Sequence, residues 1–304
     1  MTLDKRYRDQ VTLLVRALPL VAKESCFALK GGTAINLFIR NMPRLSVDID
    51  LTYLPLHTRD DALREIDLAL KRIAENLRSL DGSIYVAESS PASQDGIIKL
   101  VVRTKGLVQI KIEVTPVLRG CVYDPAVMPV SEKVEGEFGF AEINVLSFAD
   151  LYAGKIMAAL DRQHPRDLFD VHQLLAEEGI NDELRSALIV YLVSHDHSPH
   201  SLLNPVRRDI AQDYEQNFAG MTTEETSLEI LLSARETLIN DVTGNMPDHH
   251  KEFLKSFYGR KPDWQLLGLK GVDNLPAVRW RELNLDRSGQ GTCETLLRKL
   301  EAVF

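Results

Sequence analysis

Two aspartates one pleat apart, Asp48 and Asp50, stand in the alternating run Val47-Asp-Ile-Asp-Leu51. In an extended strand Val47, Ile49 and Leu51 share one face, and Asp48, Asp50 and Thr52 share the other. Carboxylates so placed behind an apolar strand face repel each other unless a cation lies between them. Magnesium takes one or two such carboxylates together with substrate phosphate oxygens. A solvated strand can carry Asp-x-Asp with no such purpose, so the pair needs corroboration. Gln109-Ile-Lys-Ile-Glu-Val114 offers a third carboxylate, because Ile110, Ile112 and Val114 share a face opposite Lys111 and Glu113. Glu113 could complete a metal site and help deprotonate an acceptor hydroxyl. The plain alternative is an edge strand with an exposed Lys/Glu face.

Three further pieces suit a phosphate-bearing substrate. Gly31-Gly32 lies between a short apolar run and a helical one. Glycines there let the backbone approach a ligand, and N–H groups at the start of the next helix favour an anion such as a triphosphate; an ordinary turn would read the same. Thr33 could cap that helix or touch a phosphate oxygen. Lys155 falls inside the apolar stripe Phe148, Leu151, Tyr152, Ile156, Ala159, Leu160 of a helix whose start is marked by the capping box Ser147 and Asp150. A lysine aimed at a core face is costly unless its head reaches an anion, which a triphosphate would supply, or snorkels at the border of the stripe. In Asp161-Arg-Gln-His-Pro-Arg-Asp-Leu-Phe-Asp170, Pro165 suits the first turn of a new helix. Asp167 and Asp170 share a face of that helix, and Arg166 and Asp170 are spaced for an ion pair. A structural clamp between two helices is the competing reading.

The elements that must position these groups follow from periodicity and turn signals. Residues 4–23 predict a helix, Cys26–Leu29 a short buried strand, Thr33–Arg40 a helix, Val47–Tyr53 a strand and Arg59–Leu80 a long amphipathic helix. Strands are expected over 84–88, 97–104, 108–117 and 140–145. Beyond Ser147 the character becomes helical, with segments 147–160, 165–178, 182–194, 206–218, 223–243, 247–258 and 293–303. The expectation is an α+β front half followed by an all-helical back half.

Taken together, Gly31-Gly32-Thr33, Arg44-x-Ser46-x-Asp48-Ile-Asp50, Glu113, Lys155 and Arg162-x-x-x-Arg166-Asp167-x-x-Asp170 closely resemble the AbiEii/AbiGii toxin family, to which the mycobacterial MenT toxins are related. The resemblance spans about residues 25–175. It implies a polymerase-β-like nucleotidyltransferase domain, a mixed sheet flanked by helices, over residues 1–180, and an α-helical C-terminal domain over 181–304. Carried over position by position, Asp48 and Asp50 would bind Mg²⁺ (or Mn²⁺ in its place), with Glu113 as the third ligand. Gly31, Gly32 and Thr33 would cradle phosphates and Lys155 would hold the triphosphate. Asp167 would act near the acceptor or metal, and Arg44, Ser46 and Arg166 would complete the nucleotide pocket. The implied activity is transfer of a nucleoside monophosphate from an NTP to RNA, with the 3′ end of tRNA as acceptor and a separately encoded antitoxin as partner. Many nucleotidyltransferases have Gly-Ser where this chain has Gly-Gly-Thr.

Composition narrows the alternatives. In 304 residues, 44% hydrophobic and 26% charged content is that of a globular protein with a real core, and no repeat stands out. The net charge of −8 argues against a general nucleic-acid coat but leaves room for local basic strips at 5–8, 207–208 and 251–261. It also keeps open nucleotide transfer to a protein or to a cationic small molecule such as an aminoglycoside. A non-catalytic NTP-binding module would be expected to have lost the carboxylates. Three scattered cysteines suit a reducing compartment, and the charged N-terminus and interrupted run 11–22 suit a cytoplasmic protein without a membrane span. His195-Asp-His197-Ser-Pro-His200 has metal-ligand residue types but reads as a solvated loop.

Overall fold

Apolar residues at every second position give the strands one face that water rejects, and this sets their register. A computed structural model describes residues 5–80, 82–90 and 96–304, and the chain divides into two compact units, Met1–Ser147 and Phe148–Phe304. In chain order the first unit contains α1 (Lys5–Val21), β1 (Phe27–Lys30), α2 (Gly31–Ala34) running into a π-helical turn (Ile35–Ile39), β2 (Asp48–Tyr53), α3 (Arg59–Leu80), β3 (Ile84–Ser89), β4 (Lys99–Thr104), β5 (Gln109–Val114), β6 (Ala126–Pro129), α4 (Glu132–Phe138) and β7 (Glu142–Val145). The described strands form one seven-stranded sheet in the order β3-β4-β5-β2-β1-β7-β6. The β2–β5 and β1–β7 pairs are parallel and the others antiparallel.

Register places Ile49 opposite Ile112, Leu51 opposite Val114 and Leu29, and Leu100 opposite Ile112. All are fully buried, on the face where α1 and α3 pack. A slip of one residue would turn Asp50 and Glu113 into that core, so the burial of these side chains fixes the pairing. The other face carries Lys30, Asp48, Asp50, Lys99, Lys111 and Glu113, all half-buried.

The second unit is helical: α5 (Phe148–Arg162), α6 (Pro165–Glu177), α7 (Asp182–Ser194), α8 (Pro199–Leu203), α9 (Ala211–Asn217), α10 (Leu228–Gly244), α11 (Asp248–Tyr258), short 3₁₀ turns at Trp264–Leu267 and Val272–Asn274, α12 (Pro276–Arg287) and α13 (Gln290–Glu301). Helix α5 packs on α6 and α7, and α6 on α10. The break between α5 and α6 is made by Gln163, whose φ of 53° is left-handed, and by His164, whose ring nitrogen accepts the Arg166 N–H. Pro165 then occupies the first turn, as its missing N–H favours.

The α+β order expected from the sequence is present. Several elements differ in extent, and the structure adds β6, α4, α8 and α12. Residue 4 of the expected first helix lies outside the described residues. The expected helix 206–218 is only Ala211–Asn217, because side chains claim the backbone before it. Gln163 Nε2 donates to the Val206 carbonyl (2.8 Å), Gln163 Oε1 accepts the Arg208 N–H (3.0 Å), and Arg235 donates to the Arg208 carbonyl (2.8 Å).

Candidate active site

In the first unit the candidate residues converge where β1 ends and β2 begins. Gly31 has φ of +77°, and a Cβ there would lie 2.8 Å from the Asp50 Oδ2 atom. A Cβ on Gly32 would lie 2.7 Å from an Arg44 guanidinium nitrogen and 3.0 Å from Ser46 Oγ. A side chain at either glycine would therefore crowd its neighbours, and at Gly31 it would also strain the backbone. The Lys30-Gly-Gly turn begins α2 without a side-chain cap.

Thr33 is fully buried and its hydroxyl donates to the Asp48 carbonyl at 2.5 Å. That uses the one hydroxyl proton of Thr33, so in the 3.0 Å contact with Ser46 the Ser46 hydroxyl is the donor. Thr33 thus braces β2 with its side chain instead of presenting that side chain outward. Arg44 is buried and donates to the Leu45 carbonyl (2.9 Å), and Asn36 donates to the Gly32 carbonyl (2.8 Å).

Asp50 stands opposite Lys30 in β1 and opposite Glu113 in β5, and Glu113 stands opposite Lys99 in β4. Four strands thus carry one row of charge: Lys30, Asp50, Glu113, Lys99. The Lys99 ammonium lies 3.1 Å from Glu113, and Lys30 donates to the Thr115 hydroxyl at 3.0 Å. Burial pushes the Lys30 ammonium below its usual value, against the opposing pull of Asp50 and Glu113. Among the described residues, no three His, Cys, Asp or Glu side chains are grouped closely enough to hold a metal ion by themselves. Asp48 and Asp50 on one strand face, beside a cradle shaped by Gly31, nevertheless fit the donor set of a magnesium ion that draws its remaining ligands from substrate.

In the second unit, Lys155 is 7% exposed and does reach anions. Its ammonium lies 2.8 Å from Asp167 Oδ1 and 3.0 Å from Asp170 Oδ2. Arg162 adds two hydrogen bonds to Asp167, at 2.5 and 3.0 Å. Burial alone would raise the Asp167 pKa, but Lys155 and Arg162 outweigh it and hold this carboxyl well below the usual range. Arg166 donates to the Asn217 carbonyl at 3.2 Å. Asp150, expected in the capping box, is buried and accepts from the Tyr191 hydroxyl at 3.1 Å.

Other sequence signals resolve into structural pairs. His197 meets Asp161 at 2.8 Å, and His195 accepts the His197 N–H. In the basic stretches, Arg8 pairs with Glu137, Arg207 with Glu236, Lys251 with Asp248 and Lys255 with Glu252. Among the described residues no helix is long and apolar enough to cross a membrane. Lys30 and Lys99 were not legible as site residues, because only strand register brings them to Asp50 and Glu113.

No curated protein matches the sequence. Among solved structures, the fold is similar to that of MenT4, a nucleotidyltransferase toxin from Mycobacterium tuberculosis H37Rv. The TM-score is 0.60 at 15% identity, covering 98% of this chain and 95% of that one. The sequence matches the family described as nucleotidyl transferase AbiEii toxin, type IV toxin–antitoxin system, over residues 12–280. With that match covering most of the chain, and the glycine cradle and strand carboxylates in place, this protein belongs to the AbiEii family of nucleotidyltransferase toxins.

Proposed function

We propose that this nucleotidyltransferase moves a nucleoside monophosphate from an NTP to an RNA acceptor, the 3′ end of tRNA, and so arrests growth until an antitoxin counters it. The observation that carries the reading is the contact of Asp50 with the Gly31 turn: it sets strand carboxylates beside backbone that admits no side chain. In this reading the catalytic domain is residues 1–180 and the remainder is a helical C-terminal domain. Its substrates place the enzyme in the cytoplasm.

Asp48 and Asp50 would hold Mg²⁺ or Mn²⁺, with Glu113 joining them once released from Lys99. The metal would supply charge neutralisation at the phosphates and a lowered pKa for the attacking hydroxyl. The chain's own residues do the positioning, which is most of the catalysis in phosphoryl transfer. Gly31 and Gly32 leave room for phosphate, Thr33 and Ser46 brace the strand, and Arg44 gives the pocket a buried positive wall. Lys155 and Arg166 would bind the triphosphate, at the cost of loosening Lys155 from its carboxylates. Asp167, held ionised by its partners, is a poor proton acceptor and would act by charge and orientation.

The test is transfer from each of four α-labelled NTPs, with Mg²⁺ and total bacterial RNA, for wild type and Asp50→Ala. Label on tRNA-sized RNA with the wild type alone is the expected result. Folded wild-type protein that labels no RNA would remove the RNA reading. Label on protein or on an aminoglycoside would then move the proposal to those acceptors.

A further inference from the structure

The hydrogen-bond chain behind Gly32 begins in α1, at Tyr7. The Tyr7 phenol oxygen accepts the Ser46 N–H at 2.7 Å and donates to the Ser46 carbonyl over a longer 3.4 Å. Ser46 lies before β2 begins at Asp48, so the phenol meets its peptide group where the β2 ladder has not yet started. From there the Ser46 hydroxyl donates to Thr33, and Thr33 to the Asp48 carbonyl. One turn further along α1, Gln10 donates to the carbonyl of Gln109, the first residue of β5, at 2.8 Å. A single face of α1 thus holds the starts of both strands that carry Asp48, Asp50 and Glu113.

Tyr7 is 7% exposed, in a helix whose other buried positions are apolar. Phenylalanine would fill the same space without the contact that the hydroxyl makes to Ser46. Tyr7 also precedes the residues that match the family. We propose that Tyr7 is a positioning residue for nucleotide transfer. Its hydroxyl fixes the 44–46 segment against Gly32, and so fixes the Arg44 and Ser46 wall of the phosphate cradle and the first carboxylate of β2. This rests on the nucleotidyltransferase reading of the site.

The experiment compares wild type, Tyr7→Phe, Tyr7→His and Val15→Ala. Val15 is a buried, purely apolar position of the same helix. The readouts are the affinity for inorganic tripolyphosphate with Mg²⁺, the exchange rate of the Ser46 amide, and the melting temperature. Tyr7→Phe should weaken tripolyphosphate binding about tenfold, which corresponds to about 1.4 kcal/mol, and speed Ser46 exchange. Tyr7→His, which keeps an acceptor, should recover part of the binding. Val15→Ala should lower the melting temperature at least as much while leaving binding within about twofold. Equal binding by Tyr7→Phe and wild type, equal loss in Val15→Ala, or no tripolyphosphate binding by wild type would each overturn the proposal. Wild type that binds tripolyphosphate yet transfers no label would sink the nucleotidyltransfer reading and with it a role for Tyr7 in transfer, whereas a failure confined to the Tyr7→Phe comparison would overturn the Tyr7 proposal alone.

Discussion

Asp50 and Glu113 face each other across the parallel β2–β5 ladder, and each has a lysine on its far side, Lys30 for Asp50 and Lys99 for Glu113. Two like charges opposite each other destabilise a sheet unless cations flank them. The lysines thus do in the protein alone part of what a divalent cation would do. The Lys99–Glu113 pair is about a third to a half exposed, which makes it weak and exchangeable.

Lys99→Met is therefore expected to raise the affinity for Mn²⁺, because Glu113 loses its competing ammonium. The effect should not exceed about fivefold, the most that an exposed pair of this kind is worth. Titration of Mn²⁺ by electron paramagnetic resonance reads it directly. A lower affinity in Lys99→Met would mean that Glu113 does not contribute to cation binding.

Gly32→Ala should cost activity while sparing the fold. Its methyl group would press on the ends of Arg44 and Ser46, which are side-chain atoms able to move aside. Gly31→Ala is expected to be worse in both respects. It adds left-handed backbone strain of about 1–2 kcal/mol to a clash with Asp50. Melting temperatures and kcat/KM for the pair separate the effects; equal losses in both variants would contradict this ordering.

The sequence made the alternation of Asp48 and Asp50 and the strand of Glu113 legible because period-two patterning is local. It also exposed the anomaly of Lys155, since a cation inside an apolar stripe demands an anion. Which anion was not legible: Asp167 and Asp170 meet Lys155 only because the left-handed Gln163 turns α6 back along α5. The roles of Tyr7, Lys30 and Lys99 depend on strand register and helix placement, which no local spacing encodes. Strand β6, four residues long, exposed and ending in Pro129, carries no alternation to detect.

Lys155→Met should destabilise the protein by about 3–5 kcal/mol, the usual cost of leaving a buried charge without its partner. Asp167 and Asp170 are at most 1% exposed, and Asp167 would keep its pair with Arg162. Adding Asp170→Asn to Lys155→Met removes one of the two buried carboxylate charges and should restore part of the loss in urea melts. The Asp167 carboxyl, held far below its ordinary value, contributes stability that is complete above about pH 4 and is lost as pH falls through its folded value. Asp167→Asn should flatten that acid limb alone.

His250 governs a different window. It is 2% exposed, its Nδ1 has no hydrogen-bond partner among the described residues, and burial, aided by His249 and Arg185 against Asp182, pushes its pKa down to about 4. The unfolded chain binds the proton near pH 6.5. Folded protein refuses that proton until pH has fallen much further, so the stability it adds is full above 6.5 and declines as pH falls toward 4. The slope is at most about 1.4 kcal/mol per pH unit. His250→Phe has no proton to take up and should lose that slope between pH 6.5 and 4, while keeping the separate fall below pH 4 that Asp167 causes. Urea melts at half-unit pH steps measure both. A His250→Phe profile that parallels wild type through this window would show that the imidazole is protonated in the folded state, and that some group facing it accepts the charge.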